Sequence, residues 1–113
     1  MHELSLAAEV IDLASREAGK NGLNSIAEIV IEIGDLSGVE ADIFQSALEM
    51  IVKDTILENA GLQLIRTSGQ GKCNACNKDF EMKNRLDVCP VCSCFPSEIS
   101  GGQEFRVLSI SGE

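Results

Sequence analysis

The first twenty residues carry polar and apolar positions at helical spacing. Four polar residues recur along one side at steps of four, three and four: Ser5, Glu9, Asp12 and Arg16. Apolar residues occupy the remaining face, and glycines at positions 19 and 22 end the pattern. The pattern therefore predicts an amphipathic helix from Glu3 to about Ala18.

The next apolar run has the two-residue period of a β-strand. Between Ile26 and Ile33, alternate positions are apolar and define one predicted face: Ala27, Ile29, Ile31 and Ile33. Glu28 and Glu32 lie on the other face with Val30 between them. That second face is therefore predicted to be half exposed.

A second helix is predicted after a turn at residues 34–38. Ser37 and Glu40 have the spacing of a capping box, in which the two side chains satisfy each other's backbone amides. The apolar residues that follow keep helical spacing: Phe44, Ala47, Leu48 and Ile51. The predicted end of this helix falls near residues 59–61, which read Asn-Ala-Gly.

Two further strands are predicted at 62–67 and 104–110. Breaks at 68–71 and 100–102 separate them from residues 72–99, which show little apolar periodicity and hold every cysteine. The simplest arrangement is an α-β-α-β unit whose last two strands enclose a small separate module. We expect these two strands to pair with each other.

Composition and charge argue against two classes of partner. The 113 residues carry a formal net charge of −9, whereas a nucleic-acid-binding protein needs a basic surface that neutralises phosphates. No apolar stretch approaches the roughly 20 residues of a membrane span, and no basic signal-peptide segment opens the sequence. We therefore expect a cytoplasmic protein, with no nucleic-acid or membrane partner, whose thiols stay reduced.

The cysteines form two C-x-x-C pairs, Cys73 with Cys76 and Cys89 with Cys92, separated by twelve residues. Each pair can make a tight turn that offers two sulfurs, and two such turns close a tetrahedron around Zn(II). A segment of about 30 residues buries too little surface to fold alone, so the metal would supply its folding free energy. The spacing therefore predicts a structural zinc site.

Other interpretations of the cysteines stay open. Iron in a rubredoxin-like site is the chemical alternative, since four thiolates also suit iron. A dithiol redox pair is a weaker alternative, because one C-x-x-C would serve that role. Cys94 is a fifth thiol that either replaces Cys92, modulates it or is no ligand; the C-x-x-C geometry favours Cys92.

The sequence contains one histidine, His2, and it lies beside the Met1 α-amine. The amine, the His2 backbone nitrogen and the imidazole form adjacent chelate rings, and Glu3 offers an amide nitrogen or a side chain to help complete a plane. Planar nitrogen sets suit Ni(II) or Cu(II). A solvated terminal histidine is the plain alternative. With one histidine and no complete phosphate-binding loop, the sequence predicts no enzyme.

Four features occur together in order: Met1-His2-Glu3 ahead of a helix, IGDLSGVE at 33–40, the two C-x-x-C pairs with Cys-Pro-Val-Cys at 89–92, and a closing segment at 101–110. This combination resembles the HypA/HybF family of hydrogenase-maturation nickel metallochaperones over essentially the whole chain. The resemblance implies nickel binding at Met1, His2 and Glu3. It implies structural zinc held by four cysteines: Cys73, Cys76, Cys89 and Cys92.

The resemblance also implies partners. They are a GTPase of hydrogenase maturation and the large subunit of [NiFe]-hydrogenase, with urease maturation proteins as a further class, and we expect a monomer or a weak homodimer. The sequence departs from the family at Cys94 and has no second histidine near the cysteines, so the fourth nickel donor is not identified. The rival interpretation is an adaptor for a large protein or RNA assembly with an inert N-terminus.

Pattern and resemblance together predict an α+β fold. Two helices pack on a small three-stranded sheet, which carries an inserted zinc-ribbon module with four cysteine ligands. The expected division places a nickel-binding domain at 1–69 plus 103–113 and the zinc ribbon at 70–102.

Overall fold

The computed structural model describes residues 2–96 and 98–113. Two helices and six strands follow one another along the chain: α1 (Glu3–Lys20), β1 (Ile26–Gly34), α2 (Ala41–Ile51), β2 (Gly61–Thr67), β3 (Gly69–Cys73), β4 (Lys78–Met82), β5 (Glu98–Gly101) and β6 (Phe105–Gly112). The predicted α+β class is confirmed. No helix of the described residues is long and apolar enough to cross a lipid bilayer.

The chain divides into two compact units. The helical unit comprises Met1–Ile31, Glu40–Ile65 and Val107–Glu113, and the cysteine unit comprises Glu32–Val39 and Arg66–Arg106. The predicted domain bounds at 69/70 and 102/103 stay a prediction. Within the cysteine unit we call residues 69–101 the ribbon, because its three strands form one sheet in the order β4-β3-β5.

The other sheet has the strand order β2-β1-β6. The Asp35 amide donates to the Thr67 carbonyl at 2.8 Å, and Gly61 lies beside the Ala27 carbonyl, so β1 and β2 run parallel. Parallel neighbours need a crossover, which α2 provides. The expected pairing of the strands at 62–67 and 104–110 is therefore wrong. The apolar strand β1 takes the central place between them.

The burial of β1 differs from the predicted face at two residues, both at the start of the strand. Ile29, Ile31 and Ile33 are buried as expected, but Ala27 is exposed and Ile26 is buried. A period of two holds along the middle of the strand and fails at its start. The end of a strand has different packing neighbours from its middle, so the alternation of buried and exposed side chains breaks there.

The two helices pack against each other through complementary faces. The buried face of α1 is mostly alanine and valine, and that of α2 centres on Phe44, which is 0% exposed. Helix α2 ends at Ile51, about two turns before the predicted end. Residues 52–60 form turns instead, in which the Thr55 hydroxyl donates to the Val52 carbonyl at 2.6 Å and Asp54 has a φ of 65°. Side-chain bonds to the local backbone compete with helix continuation.

Truncating Phe44 to alanine is expected to lower the free energy of unfolding by about 3–5 kcal/mol, because the buried ring is lost and a cavity remains. The matched control is Ile43→Ala, since Ile43 is 51% exposed and should change stability by less than about 1 kcal/mol. Urea unfolding followed by circular dichroism measures both. Equal effects of the two substitutions would contradict this account of the core.

The predicted capping box of α2 is wrong. The N-cap of α2 is Glu40, and no side chain caps it; the Ser37 hydroxyl accepts instead from the Val39 amide at 3.2 Å. The Glu40 amide donates to the Glu3 carboxylate at 3.4 Å. A serine hydroxyl satisfies the nearest free amide of a turn, which leaves the helix amide to a partner from elsewhere in the chain.

The predicted break at 68–71 is confirmed at Ser68, since β2 ends at Thr67, but it is wrong for the residues that follow, because β3 begins at Gly69. A Cβ at Gly69 would lie 2.5 Å from the Leu36 side chain and from the Met82 carbonyl oxygen, and one at Gly71 would lie 2.5 Å from the Met82 sulfur. These glycines serve close packing around a strand and do not make a turn.

Candidate metal centres

Four cysteine sulfurs meet in the ribbon. The Sγ atoms of Cys73, Cys76, Cys89 and Cys92 all lie within 4.8 Å of one another. The Cys73–Cys92 and Cys76–Cys89 sulfurs are 3.5 Å and 3.9 Å apart. Tetrahedral zinc with Zn–S of about 2.3 Å places its sulfurs about 3.8 Å apart, so this arrangement fits the ion. Four protein ligands fill such a site and leave no open position for a substrate.

Two tight turns, here called knuckles, bring the sulfurs together. The first knuckle, residues 73–77, joins β3 to β4, whose register pairs Cys73 with Lys78. In the second knuckle, residues 89–94, the Ser93 amide donates to the Cys89 carbonyl at 2.8 Å. Asn77 and Ser93 each follow the second cysteine of a pair and have φ angles of 54° and 62°. The same left-handed turn therefore closes both knuckles.

An apolar cluster supports the sulfurs. Leu36, Phe80 and Met82 are buried together with Cys73 and Cys89. The sequence pattern assigned Leu36 only to a turn, and no local signal marks it as a neighbour of the cysteines. The Arg85 guanidinium donates to the Leu36 carbonyl at 2.8 Å and holds that turn.

The local electrostatics differ between the sulfurs. Backbone amides of Cys92 and Val91 donate to the Cys89 sulfur and lower the pKa of its thiol to about 7. Hydrogen bonding to Cys92, followed by burial, raises the pKa of the Cys76 thiol to about 12. Amide donors that favour a thiolate are typical of metal-binding turns, because the thiolate is the ligand form.

Cys94 lies outside the four-sulfur cluster and is exposed. Its backbone carbonyl accepts from the Cys89 amide at 2.9 Å, so the residue contributes to the second knuckle through its backbone. Cys92, and not Cys94, lies with the other three sulfurs.

The predicted nickel residues stand at the start of α1. His2 is exposed and occupies the N-cap position, and its carbonyl accepts from the Leu6 amide at 2.9 Å. Met1, the third predicted ligand, lies outside the described residues. The His2 side chain is therefore open to solvent directly before α1.

Glu3 differs from the simplest expectation for a side-chain ligand. It is 6% exposed, and its carboxylate accepts from the Glu40 amide. Its own backbone amide, followed by that of Glu40, lowers the pKa of this carboxyl. A negative charge near two helix N-termini is favourable. The carboxylate is thus engaged by the protein, and Glu40, 37 residues away, is a partner that no sequence motif revealed.

A second carboxylate joins three strands within the cysteine unit. The Thr67 hydroxyl donates to Glu32 at 2.8 Å, and the Arg106 guanidinium donates to Glu32 at 2.6 Å. The hydrogen bond from Thr67, and then that from Arg106, lowers the pKa of Glu32. Thr67 and Arg106 lie where the chain enters and leaves the ribbon, so Glu32 ties the two connections to β1.

Comparison with known proteins agrees with this arrangement. A hydrogenase maturation factor HypA of Geobacter metallireducens is 34% identical over 113 residues, covering 100% of both chains. One of Parabacteroides distasonis is 36% identical over 110 residues, covering 97% of this chain and 96% of the relative. The solution structure of the Ni metallochaperone HypA from Helicobacter pylori has a TM-score of 0.68 at 28% identity and covers 99% of this chain and 97% of its own.

The family model described as "Hydrogenase/urease nickel incorporation, metallochaperone, hypA" matches residues 1–112. With nearly the whole length matched, this chain belongs to the HypA family of metallochaperones for nickel incorporation.

Proposed function

We propose that this protein binds Ni(II) at its N-terminus and, with a partner GTPase, delivers it to the large subunit of [NiFe]-hydrogenase during maturation. The observation that carries the proposal is the exposed imidazole of His2, which lies directly before α1 in a chain of this family. Binding and release need no covalent chemistry on the protein, which is the behaviour of a carrier and not of an enzyme.

The nickel donors in this proposal are the Met1 amine, the His2 backbone nitrogen and the His2 imidazole, with Glu3 as the third residue. Nitrogen donors in a plane suit Ni(II), and protons compete for each of them. Acid would therefore favour release of the ion.

Zinc has a separate role in the proposal. The four clustered cysteines bind Zn(II) structurally, because their sulfur spacing fits a tetrahedral ion and all four coordination positions come from the protein. Nickel binding and zinc binding are then assigned to the predicted domains, 1–69 plus 103–113 and 70–102. The protein would work in the cytoplasm as a monomer or weak homodimer, with urease maturation proteins as additional partners.

A Ni(II) titration of three proteins tests the nickel site: the native chain, His2→Ala, and a chain with a short N-terminal extension. The extension keeps the imidazole and removes the α-amine from the chelate. Loss of residues that merely support a metal ligand typically weakens binding about 10–100-fold, so loss of a ligand should weaken it by about 100-fold or more.

Isothermal calorimetry with zinc already bound measures the affinities. Cys94→Ser is the control and should bind nickel as the native chain does, because Cys94 lies outside the four-sulfur cluster and is exposed. If both N-terminal variants still bind Ni(II) as tightly as the native chain, the proposed site is wrong.

A further inference from the structure

The apolar cluster around the sulfurs takes one of its buried side chains from outside the ribbon. Leu36 packs there with Phe80, Met82 and the two buried cysteines, Cys73 and Cys89. It is 1% exposed, and among the described residues it is the only member of the cluster that lies outside the ribbon. A complete core around the sulfurs therefore requires the turn that follows β1.

The ribbon backbone makes room for this turn. A Cβ at Gly69 would lie 2.5 Å from both Cγ and Cδ1 of Leu36, so that side chain lies directly against the glycine backbone. The Leu36 amide donates to the Gly102 carbonyl at 2.7 Å. The Ser37 amide donates to the Gly34 carbonyl at 3.0 Å, which closes the turn. We call residues 34–38 the Leu36 turn.

Arg85 holds the Leu36 turn by its remaining backbone group. The Arg85 guanidinium donates to the Leu36 carbonyl at 2.8 Å, across 49 residues of chain. No carboxylate among the described residues forms an ion pair with Arg85. Its charged donor instead satisfies a carbonyl of the turn, and a hydrogen bond to a charged group is stronger than one between neutral groups.

The four sulfurs are shielded unequally. Cys73 and Cys89 are each 1% exposed and share the apolar cluster with Leu36, whereas Cys76 and Cys92 are partly exposed. An apolar shell controls the access of solvent to a metal site. A competing ligand in solution can reach the partly exposed pair directly, but it reaches the buried pair only after the cluster opens. Complete loss of the ion requires both pairs to let go.

We propose that the Leu36 turn closes the buried side of the zinc site and that Arg85 is a positioning residue that keeps the turn closed. Bound metal is then released slowly to competing ligands in solution, such as small thiols or chelators. This inference rests on the proposed function for the identity of the ion. It adds to the metal site a turn that lies outside the predicted ribbon bounds of 70–102, although it belongs to the cysteine unit.

The test measures how fast two variants of the full, zinc-loaded chain release zinc to an excess of the chelating dye pyridylazoresorcinol. Leu36→Ala should release zinc about tenfold faster or more, since loss of groups that support metal ligands typically weakens binding about 10–100-fold. Arg85→Ala should release it about fivefold faster, which is the effect of one typical hydrogen bond. If Leu36→Ala takes up no zinc, Leu36→Val replaces it, because valine keeps a smaller apolar side chain in the cluster.

Two matched controls separate the turn from general effects. Leu57→Ala removes an equally buried leucine, 2% exposed, from the helical unit and should release zinc at the native rate. Lys83→Ala removes the same positive charge two residues from Arg85 and leaves the bond to Leu36 intact. It should also release zinc at the native rate.

Absorption spectra of the cobalt(II)-loaded variants report on the ligands themselves. Leu36→Ala and Arg85→Ala keep all four sulfurs, so both should give the native spectrum of a tetrahedral thiolate site while releasing the ion faster. A changed spectrum would mean that the substitutions alter the ligand set, and it would overturn the role of the turn as a cover.

The release rates decide the remaining outcomes. Native-like release from Arg85→Ala, or from the Leu36 variant, overturns the inference. Equal acceleration in Leu57→Ala also overturns it, because release would then follow the general stability of the fold, and equal acceleration in Lys83→Ala would reduce the effect to charge. A native protein that holds iron and not zinc contradicts the zinc assignment alone, since cobalt(II) release from the same sulfurs still tests the turn.

Discussion

Replacing Cys89 with serine is expected to unfold the ribbon while leaving the helices intact. The ribbon sheet has only three short strands, and its core consists of a few side chains together with the sulfurs. Such a core is too small to offset the conformational entropy of the segment, so the proposed zinc ion would supply the missing free energy. Zinc-finger peptides gain about 10–16 kcal/mol from their ion at neutral pH, which sets the scale of the loss.

Amide NMR spectra and zinc analysis measure the effect. Cys89→Ser should lose zinc and the dispersed resonances of residues 69–101, whereas those of α1 and α2 should persist. Cys94→Ser, which removes the thiol outside the cluster, should keep one zinc per chain and a native spectrum. A folded ribbon without zinc, or zinc loss in Cys94→Ser, would contradict the four-ligand assignment. Visible absorption of the native protein would instead indicate iron.

Substituting Gly102 by alanine is expected to lower the free energy of unfolding substantially. Gly102 has a φ of 87°, and a Cβ there would lie 2.4 Å from the Gly69 Cα and 2.7 Å from the Ser68 carbonyl oxygen. The left-handed conformation costs about 1–2 kcal/mol for alanine. The clash is with backbone, which cannot move away as a side chain can, and overpacking adds about 1–3 kcal/mol or more. We expect a total loss of about 2–5 kcal/mol in the free energy of unfolding.

Gly38 provides the matched control for this substitution. It has a φ of 85°, and nothing lies within 4 Å of a Cβ built there. Gly38→Ala therefore bears the conformational cost alone, about 1–2 kcal/mol. Urea unfolding at one fixed zinc concentration compares the two, since bound metal contributes to apparent stability. Equal losses would mean that crowding at Gly102 is unimportant.

Local sequence patterns predicted helices and strands well where one face of the element is buried. The period of α1 and the central alternation of β1 follow from burial of one side, and both elements begin where the sequence indicates. The C-x-x-C spacing predicted a four-sulfur cluster because each pair is a local turn. The end of α2 and the start of β3 were missed for a common reason. Residues 52–60 and Gly69 are set by hydrogen bonds and packing that leave no periodic signal.

By itself, the sequence determined which segments form helices and strands, which cysteines gather, and that a lone histidine stands at the N-terminus. Only the tertiary structure decided which groups donate to the carboxylates of Glu3 and Glu32, and which strand is central. Glu3 is bonded to Glu40, and Glu32 is bonded to both Thr67 and Arg106. Periodicity and spacing describe interactions between near neighbours in the chain. The partners of Glu32 lie 35 and 74 residues away, so no local sequence pattern identifies them. Folding alone brings these donors within hydrogen-bonding distance of the carboxylate.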